Sequence, residues 1–205
     1  MEKESKKATK VEELEFFPFK DFKEFRKAYF EGIMQPGVDR GIALNWAQGG
    51  IYASNFLRIQ AMFLAFLPFI AAISFVIYAI VSKSWLLLFA LPVLLIGFFL
   101  FHPSAAMVFG FIRSIFMFLT FAGFVWALLT GKPGLLALTI ALLVIWYAQK
   151  TIYNKAVSSL IIAAAEHEDL LCLLWQGKAL NIRFYNGDTY WSDWKIENGQ
   201  SIHYE

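Results

Sequence analysis

QAMFLAFLPFIAAISFVIYAIV, residues 60–81, runs its whole length without a charged side chain. A helix of about 17–25 apolar residues crosses the ~30 Å hydrocarbon core of a bilayer, and this stretch has that length. The composition around it points the same way. The chain is 59% hydrophobic and 17% charged, with mean hydropathy +0.55, against about half apolar and a quarter charged in a soluble domain. Residues 59–146 hold only Lys83, Arg113 and Lys132 as charged side chains. Polar surface cannot cover such a block in water, so it reads as a membrane domain.

Three more spans follow from the same length rule. WLLLFALPVLLIGFFLF, 85–101, ends at His102-Pro103, a third span lies within 104–130, and TGKPG at 130–134 turns the chain into a fourth at 134–149. Pro68 and Pro92 fall inside the first two spans and predict a kink in each, which membrane helices tolerate when neighbours satisfy the freed carbonyl. The fold class is therefore mainly α and polytopic. It divides into a cytoplasmic N-terminal region, 1–58, a four-span membrane domain, 59–149, and a cytoplasmic tail, 150–205.

Basic residues flank spans preferentially on the cytoplasmic side. The N-terminal flank has a lysine-rich start with Arg40 and Arg58, and the C-terminal flank has Lys150 and Lys155, while the outward turns carry only Lys83 and Lys132. Four spans return the chain to its starting side, so both termini are expected in the cytoplasm, in a membrane of the inner or plasma type. Trp85, Trp126, Trp146 and Tyr147 fall near expected span ends, as interfacial aromatics do. A charged N-terminus precedes the first apolar run, so no secretory signal is expected and that run acts as an uncleaved anchor. Cys172 is the only cysteine, which excludes an intramolecular disulfide.

Arg113 is the one charge that could lie deep in the bilayer, where charges are expensive and functional. The segment 104–130 is about 40 Å long as a helix. Its first residues can therefore lie at the interface while Arg113 snorkels to the headgroups.

Residues 1–13 are charged and aperiodic, and read as disordered. An amphipathic helix follows at about 19–33, where Phe19, Phe22, Phe25/Arg26, Tyr29/Phe30 and Ile33 recur at helical spacing opposite lysines and acids. Such a face suits anionic lipid, a partner protein, or this chain's own tail. The stretch MQPGVDRGIALNWAQGG reads as a linker, with Gly49-Gly50 breaking the chain before the first span. Past the fourth span the helix continues to an end cap at Gly177. Its apolar seam runs through Ile152, Ala156, Leu160, Ala163, His167, Leu170 and Leu174. Two Asn-Gly turns, 186–187 and 198–199, then predict a three-stranded antiparallel meander. So small a sheet needs a packing partner.

Glu166, His167, Glu168 and Asp169 stand in a row, with Cys172 close behind. On a continuous helix they point about 100° apart and cannot converge on one ion. The Glu-x-x-His spacing of helical metal sites is missing, as is zinc spacing, so the row reads as solvated charges and one packed histidine. No nucleotide, protease or hydrolase signature occurs, and no basic patch suits nucleic acid. Trp191 and Trp194 could stack on a sugar or base, and with Tyr190 they more simply make core or partner contacts.

The expected function is that of a non-catalytic subunit of a larger membrane assembly for secretion, transfer or transport. Other membrane subunits and lipids are its partners, and it needs no cofactor or metal. The expected contacts are Phe19, Phe22, Arg26, Tyr29, Phe30, Arg113, Tyr190, Trp191 and Trp194. A second reading is a homo-oligomeric channel or lipid-handling protein using Arg113. A third is a membrane enzyme with its site at the inner interface, at His102 or at the 166–169 row.

Overall fold

A computed structural model describes residues 9–102 and 105–204. The chain is mainly helical with a small antiparallel sheet, and it forms two compact units. One comprises the chain up to Arg58 together with Lys155 onward, and the other is Ile59–Asn154.

In the first unit, helix α1 spans Phe22–Phe30 and is capped at its start. The Asp21 carboxylate accepts from the Glu24 N–H at 2.7 Å, satisfying an amide that the first turn leaves without a partner, and Glu24 accepts from the Lys20 N–H at 2.9 Å just before the cap. Strand β1, Met34–Val38, follows. Helix α2, Arg40–Gly49, has the Asp39 carboxylate accepting from the Ile42 N–H. The sequence reading placed a linker over β1 and α2, and the strand there is a correction. Met-Gln-Pro-Gly-Val has poor strand propensity, yet it pairs antiparallel with β2, Leu180–Phe184, from Met34↔Phe184 to Val38↔Leu180. Pro36 is admissible because β1 is an edge strand.

The tail then adds β3, Thr189–Tyr190, β4, Trp194–Glu197, and β5, Gln200–His203, giving a sheet in the order β1-β2-β3-β4-β5. Both Asn-Gly turns form. Asn198 and Gly199 both have positive φ, 50° and 78°, as the mirror-image hairpin turn demands. The tail has four strands rather than three, because the expected second strand folds back on itself at Trp191–Asp193, pairing Thr189 with Ile196.

The long helix expected to run to Gly177 is also two helices. Helix α6, Pro133–Glu166, ends before His167, which is extended at φ −126° and ψ 109°, and α7, Glu168–Gln176, begins after it. The left-handed residue closing α7 is Lys178 (φ 55°), with the Ala179 N–H reaching the Leu174 carbonyl at 2.9 Å. The closure is of the Schellman type, one residue beyond the expected Gly177. Leu171, Cys172, Trp175, Leu180 and Ile182 form the core of this unit with Phe25 and Val11. The expected disorder of 1–13 does not extend to its end: Val11–Glu13 is a 3₁₀ turn with Val11 buried, and residues 1–8 lie outside the described residues.

The second unit holds three helices long and apolar enough to cross a membrane: α3, Asn55–Val81, the Phe109–Thr130 part of α5, Ala105–Thr130, and α6. Between the first two, a 3₁₀ segment, Trp85–Ala90, leads into α4, Leu91–Phe101. Pro68 lies inside α3 as expected. Pro92 does not interrupt a helix; it sits in the first turn of α4, where its missing N–H has no intrahelical partner to lose. The irregular backbone in α5 is instead at Phe109, φ −120° and ψ 30°. Phe75, Leu94, Phe101, Leu142 and Ile145 make the core. Gly97 lets α4 approach α6, since a Cβ there would meet the Leu142 side chain. The outward faces stay apolar: Phe66, Leu95, Phe111 and Phe118 are all largely exposed.

Candidate functional site

The row Glu166–Asp169 lies where α6 gives way to α7, and the extended backbone at His167 points its four side chains in unrelated directions. Glu166 is exposed. The His167 imidazole lies flat on the Tyr52 ring, with centroids 3.7 Å apart and planes 6° apart. Glu168 Oε1 accepts from the Val11 N–H at 2.8 Å, and Asp169 Oδ2 accepts from the Tyr52 hydroxyl at 2.9 Å. Both acids also occupy the first turn of α7, where the helix dipole favours negative charge. Three of the four groups therefore fasten distant parts of the unit, and only Glu166 is simply solvated. Among the described residues no three metal-capable side chains cluster.

Tyr52 is the residue that sequence reasoning missed. It takes a left-handed backbone, φ 66°, just after a turn in which Gly50 lies against the Trp46 indole so closely that a Cβ would collide with it. Trp46 Nε1 donates to the Ile51 carbonyl at 2.7 Å, and Arg58 Nη2 donates to the Gly50 carbonyl at 3.0 Å. The Asp169 carboxylate, accepting the phenolic proton, holds the Tyr52 hydroxyl above its usual ionisation range, with lesser help from desolvation. The bond thus persists below the ordinary tyrosine range and is lost as pH rises through the elevated value. Only the periodicity break at Gly49-Gly50 hinted that this turn was special.

A second fastening runs along 14–19. The Trp175 indole donates to the Glu15 carbonyl at 3.1 Å, and Phe17 meets that indole edge-on with centroids 4.9 Å apart. Phe16 stacks on Tyr204 at 3.7 Å. Phe19 packs on Phe184 at 5.7 Å and on Phe25 at the same separation, and half-buried Phe22 stacks on Phe25. The inner half of the aromatic stripe therefore packs on this chain's own tail. Its outer end does not. Phe30 is 62% exposed, under the Arg26 guanidinium at 5.7 Å and beside half-buried Tyr29 at 5.2 Å.

Tyr190 is half-buried against Phe184. Trp191 and Trp194 stack on each other at 3.8 Å across the β3–β4 turn, with His203 next to Trp194. Each indole fills the other's face, so no slot between them is open to a sugar or base. Cys172 is fully buried, and burial with nearby Glu168, Glu13 and Asp169 pushes its thiol up to about 11, which makes it inert.

In the second unit the buried polar groups close a helix end. Gln149 Nε2 donates to the Phe98 carbonyl at 3.2 Å, and one turn along α6 the Tyr153 hydroxyl is 2.7 Å from His102 Nε2. Phe98 is among the last four residues of α4, whose carbonyls lack intrahelical donors. Sequence reading named His102 and passed over Gln149 and Tyr153, whose side chains look unremarkable in an apolar helix. Arg113 is half-buried and makes no hydrogen bond or ion pair among the described residues. It lies one turn past the break at Phe109, about 6 Å of helix rise into the span.

No protein family, characterised protein or solved structure matches the chain.

Proposed function

We propose that this chain is a four-span, non-catalytic integral subunit of a larger membrane assembly, with both termini on the cytoplasmic side of an inner- or plasma-type membrane. One observation carries the reading: three of the four groups in the 166–169 row are engaged in fastening the chain to itself, while broad apolar helix faces remain uncovered. His167, Glu168 and Asp169 hold Tyr52 and Val11, whereas Phe66, Leu95, Phe111 and Phe118 face outward. Monomeric soluble proteins rarely leave apolar surface on that scale. Lipid and partner helices can cover it.

The pairing of β1 with β2 supports four crossings. A strand from before the spans and a strand from after them share one sheet, so the chain between them crosses the bilayer an even number of times. Three long helices need a fourth crossing, and Trp85–Phe101 can supply it. Six residues of 3₁₀ helix at about 2.0 Å each and eleven of α-helix at about 1.5 Å reach some 28 Å, close to the ~30 Å core.

Gentle extraction from the native membrane, a native gel and mass spectrometry of the band test the role. A large band containing unrelated membrane proteins is the expected outcome; a band of this chain alone rejects it. The second reading, a homo-oligomeric pore or lipid-handling protein, draws on Arg113 having no bonded partner among the described residues. Under the subunit reading Arg113→Gln leaves the large band intact and its activity within a factor of two or so, because a headgroup contact at the span's edge is dispensable.

A further inference from the structure

The second unit contains a groove between α3 and α6, with a cavity volume of about 340 Å³ and an almost wholly apolar lining. It runs along Leu67–Tyr78 of α3 and Ala137–Val144 of α6; the residues that open α3 and those that close α6 both belong to the first unit, so the helices are antiparallel and the groove's two ends differ. The eleven steps from Leu67 to Tyr78 give about 16 Å of helix rise, about half the thickness of the ~30 Å hydrocarbon core. A groove of that length and apolar lining matches one acyl chain within a single leaflet.

The ends decide the chain's direction. The Tyr78/Ala137 end lies next to the two turns that carry Lys83 and Lys132, each five residues away along the chain. These are the turns closing α3 and opening α6. The Leu67/Val144 end is apolar and lies mid-helix. An anionic headgroup fits the first end and a methyl terminus the second.

We infer that the α3–α6 groove holds one acyl chain of an anionic phospholipid from the leaflet on the Lys83/Lys132 side, its phosphate beside those two lysines. The inference rests on the reading of this unit as membrane-spanning. Small residues, Ala137 and Ala141 with Ser74 opposite, keep the slot open, and larger side chains there would close it.

The test uses the full chain in lipid nanodiscs containing phosphatidylglycerol or phosphatidylcholine, each with a photoactivatable diazirine midway along one acyl chain. Cross-linked peptides are read by mass spectrometry. The expected result is labelling of both 67–78 and 137–144 above that of the outer face of α5 at Phe111 and Phe118, with phosphatidylglycerol favoured about tenfold over phosphatidylcholine. Ala137→Phe should remove the groove label and leave the α5 label unchanged. Should that variant fail to insert, the double substitution Lys83→Gln, Lys132→Gln, outside the groove, should abolish the headgroup preference. Groove labelling no stronger than α5 labelling, or no headgroup preference, would overturn the inference while leaving the membrane reading in place. Absence of label on α5 as well would overturn both.

Discussion

Gly50 and Tyr52 divide the work of one turn. Gly50 is there for space, with φ −70° and the Trp46 indole against it, and Tyr52 takes the left-handed conformation that a glycine would normally occupy. A bulky side chain in that conformation is costly, and the His167 stack and Asp169 bond offset it. Gly50→Ala should therefore lower stability by about 1–3 kcal/mol, the range for overpacking against a rigid neighbour, read by thermal unfolding of the purified protein. Unchanged melting would mean the indole moves aside freely. Cys172 gives a second residue-scale prediction. Its folded pKa of about 11 lies above the usual thiol value of about 8.5. Burial of the neutral thiol therefore contributes stability that is present below the ordinary thiol pKa and is lost as pH rises through about 11. Alkylation at pH 8 should be undetectable in the folded protein and complete after denaturation; fast labelling of folded protein at pH 8 would contradict the burial. A continuous helix through the 166–169 row was the expectation from sequence, whereas the break at His167 and the partners Tyr52 and Val11, more than a hundred residues away, are set by tertiary packing.

At the scale of elements, local signals were most legible where the local chemistry is strongest. The two Asn-Gly hairpin turns and the long apolar helices follow from residues within a few positions of one another. Strand β1 was not legible, because proline and glycine argue against a strand and only the distant β2 imposes it. The α4–α6 association was illegible for a related reason. Gln149 looks like an isolated polar residue until α4 ends beside it and the Phe98 carbonyl needs a donor. Gln149→Leu keeps the side chain's size and removes that donor. It should cost about 1 kcal/mol, towards the upper part of what interhelical hydrogen bonds contribute in membranes, measured by reversible unfolding in mixed micelles. Tyr153→Phe should act in the same direction through His102, and the double variant should cost less than the sum, since both side chains hold the same helix end.

For the molecule as a whole, the sheet constrains the topology more tightly than hydropathy does. Under the proposed membrane reading, β1 precedes every span and β2 follows every span, and their backbone pairing is compatible only with both on one side of the bilayer. An odd number of crossings would separate paired strands by a hydrocarbon core in which no unsatisfied backbone group is tolerated. With α3, α5 and α6 long enough to cross, the segment Trp85–Phe101 must cross too or one of those three must not. The near-28 Å reach of its combined 3₁₀ and α-helix favours the first outcome. In a Cys172→Ser background, single cysteines at Ser82 and Gly131 should react with a membrane-impermeant maleimide added to intact cells. Cysteines at Asp188 and Lys20 should react only after the membrane is permeabilised. Labelling of Ser82→Cys but not Gly131→Cys from outside would mean that α5 and α6 do not both cross as separate spans. Labelling of Asp188→Cys and Lys20→Cys from opposite sides would mean that β1 and β2 do not pair in the membrane-inserted protein.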